Sequence, residues 1–354
     1  MIDKTCDNCG VFCIGNEDNY CGSWSPKTPA VEAETGSHAT VNCVPVDLIP
    51  DIGFQVPVSE LGAPALVSGF QSPGSIVNDL LCGDCLEIMR AMPSQSVDLV
   101  FCSPPYEAAR TYGIGFSLSG ADWVEWAMVR YHECLRVCRG LVAWVVEGRT
   151  RDYRWTATPA LLMAALHSAG VHLRKPPVYH RVGIPGSGGP DWLRNDYEFI
   201  VCATSGGRLP WSDNTAMGHP PKFKAGGPPS HRRADGTRAN GCRSTDRRPG
   251  GNLKPRVYVP PSLSNPGNVI HCGAAGGGHL GSRLAHENEA PFPESLAEAF
   301  IRSFCPPCGT VLDPFCGSGT TLKVAARHGR NSIGIDIRQS QIALSERRLD
   351  EVAR

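Results

Sequence analysis

The sequence predicts an α/β protein with a mainly parallel sheet and helices on both faces. Three observations point there. Apolar strand-like runs alternate with helix-period segments from Ile76 to the C-terminus, the pattern of βαβ units. Hydrophobic residues make up 41% of 354, enough for a sizeable core. Two core strands run into abrupt turn chemistry, Ser103-Pro104-Pro105-Tyr106 and Asp313 through Gly319, as ligand loops do at strand carboxyl ends.

The elements follow in order. Residues 1–75 are rich in Cys, Pro, Gly and acids, with little periodicity, and read as an accessory arm. NDLLCGDCLEIMRAMPSQSVDLVFCSPPY reads as strand, helix, strand. The strand must end at Pro104 and Pro105, because proline donates no backbone hydrogen bond and fixes its own φ. ADWVEWAMVRYHECLRVCRG places Val124, Ala127, Tyr131, Leu135 and Cys138 near one helical face, with Gly140 as the stop. LVAWVVE (141–147) is a short apolar strand and TPALLMAALHSAG (158–170) a helix. Strands around VHLRKPPVYHRV and YEFIVCAT follow. Residues 205–265, dominated by Gly, Pro, Ser and Arg, read as a long loop. ESLAEAFIRSF (294–304) is a helix with Leu296, Phe300, Ile301 and Phe304 inward. Strand TVLDPF, helix TTLKVAARHG, strand SIGID and helix SQIALSERRLDEVA complete the chain.

Composition narrows the function. No run of about 18 apolar residues appears, so no membrane span is expected. The N-terminus lacks a basic-then-apolar signal pattern, so the sixteen cysteines read mostly as reduced thiols of a cytoplasmic protein. Basic and acidic residues balance at 34 each, but unevenly. Residues 1–73 hold nine acids and two lysines, while 216–262 hold ten basic residues and two acids. Clustered positive charge in a neutral chain points to a local polyanion site.

VLDPFCGSGTT (311–321) is a strand, a glycine turn and a helix start. Glycines 317 and 319 let the backbone approach a ligand closely. Asp336 ends the next strand, 19 residues after Gly317, where an acid accepts hydrogen bonds from ribose hydroxyls. Leu322 stands where a dinucleotide fingerprint has its third glycine, which favours a nucleoside without a pyrophosphate. S-adenosylmethionine meets that description. At the other strand end, Ser103 Oγ and the Pro104 carbonyl can each accept a hydrogen bond from an exocyclic amino group. Tyr106 can stack on a base taken out of a duplex. Each piece also has an ordinary reading, a proline turn or a glycine turn.

Together these residues resemble the amino-group DNA methyltransferases, which methylate cytosine N4 or adenine N6. The family carries a DPPY, NPPY or SPPY motif and an FxGxG loop, here Ser103 to Tyr106 and Phe315 to Gly319. The catalytic motif precedes the cofactor loop, as in the β-class order. GDCLEIM, HENEAPFPESL and GIDIRQSQIALSERRL are further matches. The resemblance implies a Rossmann-like methyltransferase fold, with a catalytic part over 76–204, a target-recognition loop over 205–265 and a cofactor-binding part over 266–354. It implies catalytic roles for Ser103, Pro104, Pro105 and Tyr106. The cofactor residues it implies are Asp84, Pro291, Phe292, Pro293, Asp313, Phe315, Gly317, Ser318, Gly319, Thr320 and Asp336. Asp84 is equally placed to cap the helix beginning at Cys85, and the Pro-Phe-Pro run to staple a helix entry. The implied partners are double-stranded DNA and a cognate restriction endonuclease. The serine form of the motif leans to cytosine N4, leaving adenine N6 and, more remotely, glutamine methylation of a protein as alternatives.

In the basic segment, Arg232, Arg233, Arg247 and Arg248 are the candidate DNA contacts. Cys6, Cys9, Cys13 and Cys21 have a spacing that a zinc site could use, although it fits no common ribbon. Cys305 and Cys308 read as part of a helix-to-strand loop rather than as a metal pair or nucleophile.

Overall fold

The computed structural model describes residues 76–107, 114–183, 188–221, 230–232, 236–240, 261–273 and 282–353, all within one compact unit, Phe70–Arg354. The cysteine-rich arm with Cys6, Cys9, Cys13 and Cys21 lies outside the described residues, as do Arg233, Arg247 and Arg248.

In chain order the elements are β1 (Asn78–Cys82), α1 (Cys85–Ala91), β2 (Val97–Cys102), α2 (Gly120–Val137), β3 (Cys138–Val146), β4 (Thr150–Arg151), β5 (Arg154–Trp155), α3 (Thr158–Ser168), β6 (His172–Leu173), β7 (Val178–Val182) and β8 (Tyr197–Thr204). Then come β9 (Ser230–Arg232), β10 (Arg238–Asn240), β11 (Val269–Gly273), a 3-10 turn (Arg283–Glu287), α4 (Glu294–Phe304), β12 (Thr310–Asp313), α5 (Thr320–Arg327), β13 (Asn331–Asp336) and α6 (Gln339–Ala353).

A nine-stranded sheet has the order β1-β13-β12-β2-β3-β8-β7-β11, with β6 added to β8. The strands from β1 to β3 pair in parallel, and β8 runs antiparallel between β3 and β7. Every residue of β2 is buried, because both of its faces are covered. Val100 and Cys102 pack with Trp123 and Tyr131 of α2 and with Leu162 and Leu166 of α3. Leu99 and Phe101 point the other way, into Leu296 and Phe300 of α4. A bidentate pair at the amino ends fixes the strands: Arg139 donates to Asp98 at 2.7 and 2.8 Å, and Thr310 N donates to Asp98 Oδ2 at 2.9 Å.

The structure corrects the sequence reading at Gly140. Helix α2 stops at Val137 and passes directly into β3, so Gly140 lies inside a strand. A Cβ there would fall 2.0 Å from the Asp98 carbonyl, so the glycine serves strand contact, not helix termination. Strand β11 also escaped the sequence reading; it adds an edge to β7 in parallel. Within the expected 205–265 loop, Asp213 N donates to Ser303 O at 2.9 Å and Leu209 packs on the α4 core, so its first part is pinned to the domain. No helix among the described residues is long and apolar enough to cross a membrane.

Candidate active site

The two turn motifs lie side by side. Strand β12 pairs with β2 in parallel, with Val311 opposite Leu99 and Leu312 opposite Val100. Their carboxyl ends therefore coincide. Ser103-Pro104-Pro105-Tyr106 leaves one strand beside the point where Asp313-Pro314-Phe315 leaves the other. Phe315 packs edge-on to Trp144 (5.6 Å) and tilted against Trp126 (5.7 Å).

The proline tip is held from three sides. Trp123, fully buried on α2, donates from Nε1 to the Pro105 carbonyl at 2.9 Å. The Tyr106 hydroxyl donates to Glu198 Oε2 on β8 at 2.7 Å, and Arg181 lies 3.2 Å from Glu198 Oε1. Buried Glu107 accepts from Gly120 N at 2.9 Å and from the Thr158 hydroxyl. Pro104 is buried and Ser103 half-buried. Among the described residues no hydrogen bond occupies Ser103 Oγ or the Pro104 carbonyl, so both acceptors remain available.

The glycine turn is equally constrained. Gly317 and Gly319 have φ of +50° and +74°, a region costly for side chains with a Cβ. A Cβ at Gly317 would fall 2.7 Å from Asn288 Nδ2, and one at Gly319 2.7 Å from Ser345 Oγ. Arg348 of α6 is wholly buried beneath the turn. It donates to Ser318 O (2.9 Å), Ser318 Oγ (3.0 Å) and Thr320 Oγ1 (2.8 Å), and lies 3.3 Å from Glu294. Asp313 accepts from Thr321 Oγ1 at 2.6 Å and from Phe315 N at 3.0 Å. Burial, and then the nearby Asp336 charge, push its carboxyl up to about 7 against those two bonds. The side chains of Asp313, Ser318 and Thr320, expected to touch the cofactor, are thus directed into the loop they shape. Glu294, Ser345 and Arg348 fall inside the matched stretches HENEAPFPESL and GIDIRQSQIALSERRL, but the sequence alone assigned them no role, since a contact between distant helices and a turn leaves no local pattern.

Two acids flank this turn. Cys82 of β1 is opposite Asp336 of β13, and Gly83 N donates to the Asp336 carbonyl at 3.1 Å. Asp84 caps α1 by accepting from Leu86 N at 2.8 Å, and its Oδ2 pairs with Arg130 at 2.9 Å. Asp336 accepts from Gly317 N (3.1 Å) and from Arg338 N (2.9 Å). A carboxylate offers about four acceptor directions, so each retains capacity on Oδ2. Both acids, the bent glycine backbone and the Phe315 ring suit a nucleoside with hydroxyls and a base face. Phe292 of Pro291-Phe292-Pro293 sets its ring edge against Phe101 of β2 (5.5 Å), and Pro293 is the residue before α4.

A further acid was missed. Glu147, one residue past β3, is buried beside the proline tip. Its Oε1 accepts from Gly148 N (2.8 Å) and Trp155 Nε1 (3.1 Å), while Oε2 is enclosed without a partner. Burial, and then Glu198, raise its carboxyl to about 7. The described cysteines are all free thiols, and burial holds those of Cys102, Cys134 and Cys316 far above their ordinary range. Cys308 lies in the turn between α4 and β12, with its N–H on Gly329 O at 2.9 Å. No cluster that could hold a metal ion occurs among the described residues.

Fold and site together define a Rossmann-like protein in which a constrained glycine turn lies beside a rigid proline tip. Residues 97–347 match the DNA methylase family of N6 and N4 methyltransferases, and the chain belongs to that family of S-adenosylmethionine-dependent enzymes. It is 27% identical to Type II methyltransferase M.ScaI of Streptomyces caespitosus over 77% of this chain and 81% of that one. It is 24% identical to DNA adenine methyltransferase YhdJ of Escherichia coli K12, over 78% and 84%. Among solved structures it resembles the cytosine-N4-specific PvuII DNA methyltransferase, with a TM-score of 0.54 and 19% identity over 79% of this chain and 90% of that one. At that identity the likeness bears on the fold alone.

Proposed function

We propose that the protein methylates cytosine N4 of a base turned out of double-stranded DNA. The observation that carries the reading is the parallel pairing of β2 with β12, which sets the acceptor tip beside the nucleoside turn. When bound, S-adenosylmethionine supplies an electrophilic methyl group on a sulfonium. Asp336 and Asp84 hold its hydroxyl and adenine sides, and Gly317, Gly319 and Phe315 line it, with Pro291, Phe292 and Pro293 closing the pocket. Asp313, Ser318 and Thr320 keep that loop in shape.

Ser103 Oγ and the Pro104 carbonyl accept hydrogen bonds from the two amino N–H groups of the extruded base. Holding both protons directs the nitrogen lone pair out of the base plane. Pro105 stiffens the tip without adding a donor. Tyr106 lies on the base face, with its hydroxyl tethered to Glu198. No covalent enzyme adduct is needed, which agrees with the raised, unreactive thiols nearby.

Ser103 at the first motif position favours cytosine, since that form of the motif accompanies cytosine N4. Adenine N6 is the second reading, favoured by the resemblance to an adenine methyltransferase. Arg232, in β9, and Arg233, Arg247 and Arg248 contact phosphates in this reading. A cognate endonuclease is the proposed cellular partner, by analogy with the Type II relatives. The test is to express the protein in a host free of DNA methylation, hydrolyse the DNA and identify modified nucleosides, with Ser103→Ala as control. N4-methylcytosine absent from the control supports the proposal. N6-methyladenine selects the second reading, and unmodified DNA from a folded, cofactor-binding protein overturns both.

A further inference from the structure

Strands β4 and β5 form a hairpin that leaves the sheet where β3 ends. Thr150 is opposite Trp155 and Arg151 opposite Arg154. The two loop residues, Asp152 and Tyr153, have φ of +49° and +61°. That is the two-residue turn whose twist suits a hairpin, and it normally takes asparagine and glycine. Here a tyrosine occupies the left-handed position and is 73% exposed. A bulky residue held in this conformation at a tip calls for a functional account.

The hairpin is rigidly seated. Thr156 N donates to Arg149 O and Arg149 N to Thr156 Oγ1, both at 2.9 Å. Trp155 Nε1 donates to buried Glu147. A Cβ at Gly148 would fall 2.4 Å from Trp155 Nε1, so a larger residue there would displace the indole. Its place is also fixed. Trp144 of β3 is opposite Cys102 of β2, so the hairpin rises beside the proline tip. Trp155 leans on Phe199, the neighbour of the glutamate that holds Tyr106. At the tip, Tyr153 meets the ring of Trp192 edge to face at 5.6 Å, and Trp192 is itself 39% exposed. Arg151 and Arg154 are exposed on either side of the turn, against a single acid, Asp152.

We propose that this hairpin is the duplex-opening element: Tyr153, braced by Trp192, enters the base stack at the target site while Arg151 and Arg154 neutralise the flanking phosphates. The inference rests on the DNA reading above. A rigid ring on a narrow strut can fill the gap left by an extruded base. The arginines supply the salt-dependent attraction that a phosphate backbone demands. The basic segment at 216–262 is a separate stretch of the sequence, so the two contributions can be tested apart by substitution.

The test uses the full chain and a duplex carrying the sequence found modified by the protein. Tyr153→Gly keeps the hairpin, since glycine takes the same φ freely, and removes only the ring. Initial rates are compared on the matched duplex and on one with the target base mispaired, which is already easy to extrude. Tyr153→Gly should be at least 10-fold slower than wild type on the matched duplex and within about 3-fold on the mispaired one, with Tyr153→Phe close to wild type. Arg151→Gln with Arg154→Gln should lower the salt slope of DNA binding by about two ion equivalents. Unaltered rates for Tyr153→Gly, or an equal loss on both duplexes, overturn the inference while leaving the methylation reading intact. The inference also falls if Tyr153→Gly changes only self-association. A wild type that methylates no DNA overturns the underlying reading and the inference with it.

Discussion

The Tyr106 hydroxyl donates to Glu198 Oε2 at 2.7 Å across 92 positions of sequence, tying the proline tip to the antiparallel strand β8. A charge-assisted bond of this kind contributes about 1.5–3 kcal/mol and fixes the ring plane. Tyr106→Phe and Glu198→Ala should each lower kcat by roughly 10-fold or more, with the double variant no worse than the poorer single one. Glu198→Gln keeps an acceptor and should retain most activity. Cofactor affinity measured by calorimetry should be unchanged in all four, because in the proposed reading the bond lies on the base side of the site.

Arg348 ties α6 to the glycine turn. Removing one partner of a buried ion pair typically costs about 3–5 kcal/mol. Here Lys323 and Arg327, at 3.3 and 2.6 Å, still neutralise Glu294, so the loss for Arg348→Met should fall near the lower figure. The sharper consequence is functional. The Ser318 carbonyl and the Ser318 and Thr320 hydroxyls lose their donor, so the turn relaxes. Urea unfolding should show the lower midpoint, and calorimetry a cofactor affinity weakened about 10-fold.

Gly319→Ala is a separate probe of the same turn. Its φ of +74° costs a Cβ-bearing residue about 1–2 kcal/mol. The added methyl would also press on Ser345, whose Oγ and Cβ are 2.7 and 2.9 Å from its position. The variant should raise the cofactor KM at least 10-fold while leaving the DNA KM near wild type. Adding Ser345→Gly should recover only part of the loss, since the backbone strain remains. Full recovery would show that crowding alone mattered.

What the sequence revealed, and what it hid, follows from the range of each interaction. Helix α4 was legible to the residue, because Leu296, Phe300 and Ile301 repeat at helical spacing and bury together. The strand–turn–helix around Gly317 was legible because turn chemistry is local. The meeting of Ser103 with that turn was only an inference from strand ends until β2 and β12 proved to be neighbours. Gly140 misled because glycine marks helix ends and close strand contacts alike, and the Asp98 carbonyl that decides between them is 42 positions away. Asp84 could be read as cap or ligand contact; the cap is formed, and the Arg130 pair that accompanies it left no local sign. Glu147 was silent for the same reason: its burial comes from Trp155 and from strand β8, not from its own surroundings in sequence.

Glu147 makes stability depend on pH in a direction opposite to that of an exposed salt-bridged acid. Its carboxyl is raised from the ordinary 4.5 to about 7, by burial first and then by Glu198. Between those values the folded protein holds the proton and the unfolded chain has lost it. Folding therefore takes up a proton in that window, so the group's contribution to stability falls as pH rises from about 4.5 to 7 and then levels off. Asp313 adds the same trend from 3.8 to about 7. Glutamine at 147 keeps an oxygen for Gly148 N and Trp155 Nε1 and carries no charge to bury. Glu147→Gln should thus be more stable than wild type at pH 8 by about 1–3 kcal/mol, with the advantage vanishing or reversing near pH 5. Urea unfolding of both proteins at pH 5, 6.5 and 8 reads this directly. A stability difference that stays constant across the three would mean that Glu147 is ionised in the folded state throughout.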